Sequence, residues 1–279
     1  MFAYKPKLNG SNFSNKNEEV IFVTERNLFT SNDLVNWSSL ERIFDPLSPQ
    51  VSDFLPYSFS TTSVAGLGIN VDIAPPTNPD ITPPFVFETT SLGVSTNFAL
   101  GDYILFTGFV PGQFPANGNS NPMTIAFERP VQGAGTQIAV DDLSNFNILV
   151  SAFDNENNLL GSFSIPGTAS ETINNSAQFV GIYSDEPNIS KLVYSYSVDG
   201  HLNNSNANRA FGINSLSIYD PSLNNPDCDR DDDWENSDFF SDYFCLGKND
   251  RFFEDRSEKD CFCELINIES PFCFQGELI

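Results

Sequence analysis

Carboxylates and amides gathered in turns are the residues of this chain best suited to chemistry. Asp141-Asp142 follows an apolar run, Asp154-Asn155-Glu156-Asn157 fills a polar loop, and Asp185-Glu186 and Asp199-Gly200 end later apolar runs. Calcium takes about 6 to 8 oxygen ligands from carboxylates, amides and backbone carbonyls. Asp141, Asp142, Asp154, Asn155, Glu156, Asp185 and Asp199 are therefore the candidate metal ligands, and calcium is the cofactor they imply. The competing reading is a set of solvated, charged turns that keep strand edges from pairing. A further acidic run, Asp227-Cys228-Asp229-Arg230-Asp231-Asp232-Asp233, has the alternate acids that open an EF-hand loop. Asp232 stands where the sharp turn needs glycine, and Asp238 where such a loop closes on glutamate, so that geometry is disfavoured.

Carbohydrate recognition asks for a ring to stack on the sugar face and polar groups for its hydroxyls. Trp37, Tyr57, Tyr103 and Tyr183, with Arg129 and Asn-rich loops beside them, are the candidate polysaccharide-binding residues. The alternative is that these rings fill the core. Glycosidase chemistry needs two carboxylates roughly 5 to 9 Å apart, and no spacing in the sequence pairs any two of the acids. His201 is the only histidine. A His-based triad could be built only around it, and a multi-His metal site is excluded. Its surroundings, Ser197 to Asn204, read as a polar loop.

Against 13 Lys and Arg the chain carries 37 Asp and Glu, a formal net charge of -24 in 279 residues. That balance argues against nucleic acid and against an anionic membrane surface, both of which demand a basic face. A hydrophobic content of 40%, with 13% aromatic residues, places the chain among folded proteins. No run approaches the roughly 18 to 20 apolar residues of a membrane helix, and the N-terminal residues carry no secretory-leader pattern. The five cysteines, Cys228, Cys245, Cys261, Cys263 and Cys273, all lie near the C-terminus. Their odd number leaves a free or intermolecular thiol, and their spacing matches no zinc or thioredoxin pattern.

The elements that must position these residues read as strands. Alternating or continuous apolar runs include Leu67–Ile73, Tyr103–Thr107, Met123–Phe127, Phe146–Phe153, Leu160–Ile165, Ala177–Ile182, Lys191–Tyr196 and Phe211–Tyr219. Short runs at this spacing, broken by Gly, Pro and Asn, predict an all-β antiparallel sandwich. Asp154–Asn158 reads as a hairpin loop. Thr30–Trp37 could open a short helix capped by Ser31 or Asn32, and the glycines of Arg129–Gly135 suit a turn. In the last run a bulge before Leu216 is needed to bury Phe211, Ile213 and Leu216 together. The expected organisation is a polar arm over 1–17, a sandwich over 18–220 and an acidic Cys- and Phe-bearing tail over 221–279, poorly ordered.

The order of phrases resembles a known group. Leu34–Trp37 comes first, then Pro56–Val71, Asn97–Phe106, Met123–Ile138, Ala152–Asp154 with Leu159–Phe163, Phe179–Ile182, and Phe211–Ser217. Together they are similar to exported bacterial β-sandwich proteins of the PEP-CTERM-associated kind, common in cyanobacteria. The resemblance covers about residues 30–220 and implies a jelly-roll-like sandwich, an extracellular or cell-surface location and no established enzymatic role. The Pro-Glu-Pro motif, apolar span and basic end of that group's sorting tail do not occur here. The expected function is thus a non-enzymatic exported module for polysaccharide or matrix, with calcium support. A glycan hydrolase using paired carboxylates and a purely structural envelope component are the alternatives.

Overall fold

The computed structural model describes residues 20–45, 48–90, 96–112, 117–141, 145–198, 201–202 and 209–224. Fifteen strands occur in these stretches: β1 Val20–Val23, β2 Asp33–Val35, β3 Ser58–Thr62, β4 Gly68–Ile73, β5 Phe85–Glu88, β6 Tyr103–Phe106, β7 Met123–Val131, β8 Gly133–Val140, β9 Asn145–Phe153, β10 Leu159–Thr168, β11 Gln178–Ser184, β12 Ile189–Val198, β13 His201–Leu202, β14 Phe211–Ile213 and β15 Leu216–Tyr219. They form two sheets. The first runs β1-β11-β8-β14-β6-β5, with β15 beside β8 and β2 beyond it. The second runs β10-β9-β12-β7-β4-β3, with β13 on β12. Neighbouring strands pair antiparallel, as in β3 with β4, β9 with β12 and β11 with β8. The chain crosses repeatedly between the sheets, so the fold is a jelly-roll-like β-sandwich. No helix among the described residues is long and apolar enough to cross a membrane.

Alternation builds the core. In β4 the inward Ile69, Val71 and Ile73 are buried and the outward Asn70 and Asp72 exposed. Met123, Ile125 and Phe127 of β7 and Phe146, Ile148, Val150 and Ala152 of β9 do the same. They meet Ala134, Ile138, Val140, Val180, Ile182, Phe211 and Ile213 of the facing sheet. Period-two side-chain direction is the cause. β8 departs from alternation because all eight of its residues are buried.

Two sequence expectations change. Over 30–36 there is no helix: Asp33–Val35 pairs with β15, and a 3-10 turn begins at Trp37 and runs to Leu40, capped by the Asn36 side chain rather than by Ser31 or Asn32. Asn32 instead bonds the Asp220 main chain in both directions, at 2.7 and 2.9 Å. The glycines of Arg129–Gly135 are not a turn. Strand β7 runs through Pro130 to Val131, only Gln132 separates it from β8, and Gly135 lies in β8 against Gly181. The close approach explains the residue type, since a Cβ on Gly135 would stand 2.7 Å from the Gly181 Cα. The irregularity expected before Leu216 is present as the Asn214-Ser215 break between β14 and β15. The tail lies outside the described residues beyond Asn224.

The outer face of the first sheet carries a second apolar layer. Phe85 and Phe87 of β5 and Ile104 and Phe106 of β6 cluster there with Phe44, Phe98, Ala139, Ala177 and Ala210. The chain around Ile43 and Phe54 bridges to β5 and covers this layer. Farther along the face, Phe29 lies over Gly181 and stacks on Tyr183 at 4.5 Å.

Tyr194 is an anomaly of the main core. It is fully buried and its hydroxyl has no hydrogen-bond partner among the described residues, and burial pushes its ionisation upward. A buried unsatisfied hydroxyl costs about 1–3 kcal/mol, so Tyr194→Phe gains stability on the order of 1 kcal/mol. A urea midpoint that moves up without a change of slope is the expected reading, and a fall would reveal a partner for that hydroxyl.

Candidate functional site

Two of the four sheet faces form the core between the sheets, and a third is covered by loops. The outward face of the second sheet is the one that presents a continuous surface of side chains. Across it the strand registers align one residue from each of six strands: Ser162, Ser151, Val193, Thr124, Asp72 and Ser58. Every one sits in the outward phase of its strand; Ser151, Val193, Thr124 and Asp72 lie between buried neighbours, and Ser162 and Ser58 between half-buried ones. With strands about 4.8 Å apart, the row is about 24 Å long. No side chain on it is larger than Val or Asp, so it is flat.

A parallel row holds Leu159, Phe153, Lys191, Ala126, Asn70 and Ser60. On the other side Ser164, Leu149 and Ser195 align. The polar ends are ordered by their own bonds: Ser60 Oγ donates to Asn70 Oδ1 at 2.6 Å, and the Ser151 and Ser162 hydroxyls meet at 2.9 Å. Lys191 reaches Asn157 Oδ1 at 2.6 Å and lies 4.5 Å over the Phe153 ring. The face thus has Val193, Thr124, Ala126 and Lys191 at its centre, Phe153 and Leu159 with serine hydroxyls toward β10, and hydroxyl, amide and carboxylate groups toward β3.

Hydrolysis is not what this arrangement does best. Asp72 and Glu128 are outward carboxylates on adjacent strands, but Glu128 Oε2 accepts from the Gly68 N–H, four residues along β4 from Asp72. Four residues of strand span about 13 Å, beyond the roughly 5–9.5 Å that either glycosidase geometry requires.

The five carbohydrate candidates from the sequence are not brought together. Trp37 is fully buried and its Nε1 donates to the Asn214 carbonyl at 2.8 Å, so it has no face for a sugar. Tyr103 is half-buried and packs against the main core from the start of β6. Arg129 donates to Asp220 Oδ2 and Ser222 Oγ, tying the end of β7 to the chain after β15. Tyr183 stands between Phe29 and Tyr219 on the other sheet and donates its hydroxyl to the Thr30 carbonyl. Burial pushes its pKa up to about 12; the Thr30 bond pulls it down and Tyr219 adds to the rise. Tyr57 alone adjoins the row: it is half-buried, it precedes Ser58, and burial raises its pKa.

The calcium candidates are also spread apart. Asp154 closes its hairpin: Oδ1 accepts from the N–H groups of Glu156 and Asn158, and Oδ2 from the Asn158 amide. Desolvation raises its pKa, but the Asn158 side chain and the two main-chain N–H groups outweigh that and hold it below the usual carboxylate value. Asn158 also reaches Glu156 at 3.4 Å, placing an N–H donor between the two carboxylates. Asn155 and Glu156 are exposed on the same loop. The Asp141 N–H donates to the Ala210 carbonyl, and the Asp185 carbonyl accepts from Gln132 Nε2. Asp142 and Asp199 lie outside the described residues, as do the acidic run at 227–233 and all the cysteines. His201 pairs through its main chain with Val198. Among the described residues no group of three or more His, Cys, Asp or Glu is placed to hold a metal ion.

The row was missed in the sequence because its members are ordinary Ser, Thr, Asn and Asp. Their shared signal is the polar phase of β4, β7, β9 and β12, which becomes a site only once the registers align them.

Neither a family model nor a curated protein matches this chain. Among solved structures it is similar to the crystal structure of a DUF4465 family protein from Bacteroides caccae, with 12% sequence identity and a TM-score of 0.34. The likeness covers 72% of this chain and 100% of that one.

Proposed function

We propose that this chain is a non-enzymatic polysaccharide-binding module, displayed outside the cell, that lays a glycan along the outward row of the second sheet. The observation that carries the reading is the flat alignment of Ser162, Ser151, Val193, Thr124, Asp72 and Ser58 across six strands. A polysaccharide offers apolar C–H faces and rims of hydroxyls, which match the Val193 and Thr124 methyls at the centre of this row and the serine and aspartate groups at its ends. The net charge of -24 repels anionic polymers, so the ligand is a neutral glycan. The location outside the cell rests on the resemblance of the strand-and-turn phrases to exported sandwich proteins.

Val193→Arg tests the reading by placing a long side chain across the middle of the row. Binding to a panel of neutral polysaccharides is measured by affinity electrophoresis and calorimetry. We expect at least about a tenfold loss of affinity, 1.4 kcal/mol, with stability kept within about 0.5 kcal/mol, as for an ordinary surface change. Unchanged binding by the variant, or no retention of the parent protein by any neutral glycan, would overturn it.

A further inference from the structure

The edge of the sandwich where β1 lies is closed by very little chain. Among the described residues β1 pairs only with β11, in the register Val20 to Ser184, Ile21 to Tyr183, Phe22 to Ile182 and Val23 to Gly181. It also reaches the other sheet. Phe22 stacks on Phe163 of β10 with ring centres 4.6 Å apart and planes 7° from parallel. Val20 packs beside Gly161 of the same strand β10, within ordinary contact distance of the position a Cβ would take there. β1 therefore clips the two sheets together along one open edge.

The clip is weakly held. None of its four residues is fully buried, and Ile21 is 49% exposed. Residues 24–28 after it are all exposed, and the first buried anchor is Phe29. That hinge is tied down by Gln178 Nε2 to the Thr24 carbonyl at 2.9 Å and by Arg26 to Ser217 Oγ at 3.4 Å.

We infer that β1 is an exchangeable strand whose partner is the groove between β11 and β10 of a second copy of this chain. When β1 swings out on residues 24–28, it leaves the β11 edge and the Phe163 ring uncovered. The segment that fits that groove is the same four residues from another molecule, in the same register and with the same Phe22–Phe163 stack. The contacts are equal in the closed monomer and the exchanged dimer, so concentration and hinge strain decide between them. An exchanged pair also carries two glycan rows, which raises retention on a polymer through effective concentration.

The test uses the full chain with its five native cysteines, all between 228 and 273, replaced by serine. One population carries Val20→Cys and the other Ser184→Cys, the two positions that face each other across β1 and β11. Neither can form that disulfide within one molecule. Mixed at high concentration and oxidised, they are expected to give a covalent heterodimer on a non-reducing gel. The same two substitutions in one chain should close within the monomer. Closure of that control with no heterodimer from the mixture overturns the inference. Light scattering supplies a readout independent of sulfur: a dimer that grows with concentration is expected. A monomer at every concentration overturns the inference.

Discussion

Trp37→Ala lowers the unfolding midpoint by roughly 6 to 20 °C and leaves glycan binding per folded molecule unchanged. The size follows from burial. An indole with no exposed surface, packed in the main core, is worth about 3–5 kcal/mol against alanine. In a domain of this size each kcal/mol moves the midpoint by about 2–4 °C. Part of the loss is the hydrogen bond from Nε1 to the Asn214 carbonyl. Trp37→Phe separates the two contributions. It keeps most of the packing, and the Asn214 carbonyl keeps the Thr136 hydroxyl at 2.9 Å, so the drop should be less than half as large. Differential scanning calorimetry beside affinity electrophoresis checks both variants. The reverse pattern, lost binding with an unmoved midpoint, would make Trp37 a ligand platform.

The Trp37 position shows where sequence reading stops. Its type suits sugar stacking and core packing equally, and which wins depends on Asn214, 177 residues away. The same distance effect hid the polar knot around Asn214. Its side chain donates to Gln137 and Asp102 and accepts from the Gln137 N–H, joining three strands' worth of chain. By contrast, what depended on neighbours along the chain was legible. The alternation of Leu67–Ile73 gave β4 within one residue, and the polar loop after Phe153 is the hairpin that Asp154 closes.

Other signals were present and pointed elsewhere. Asp33–Val35 carries cap-like residues before it and folds as a strand because β15 offers it an edge. Phe85–Glu88 gives no alternation because Phe85, Val86 and Phe87 are buried on both faces of the sheet, a pattern that periodicity cannot separate from other apolar runs. The glycines at 133 and 135 look like turn residues until the facing strand is known. They are there because Tyr183 and Gly181 press against them. The outward row is the extreme case: each of its residues is unremarkable alone, and only six-strand register turns them into a surface.

The second apolar layer makes its own large prediction. Phe85→Ala destabilises the fold by about 3–5 kcal/mol, as a fully buried aromatic ring does when truncated. Phe85 is the hub of that layer, with the rings of Phe44, Phe54, Phe87, Phe106 and Phe109 between 4.5 and 6.1 Å away. Removing it leaves a cavity that five aromatic neighbours cannot all collapse to fill. Phe54→Ala removes a half-buried ring from the rim and should cost less than half as much. Chemical denaturation of the two variants and of the double variant measures this, and residues in contact should add imperfectly, with a coupling of about 0.5–3 kcal/mol. A loss below about 1 kcal/mol for Phe85→Ala would mean that the layer does not pack as core. The consequence for function is direct. This cluster and the chain around Ile43 and Phe54 keep the outer face of the first sheet closed. A folded Phe85→Ala protein should therefore expose apolar surface and associate with itself, while its outward row on the second sheet still binds glycan. Loss of glycan binding in that folded variant would move the binding face from the second sheet to the first.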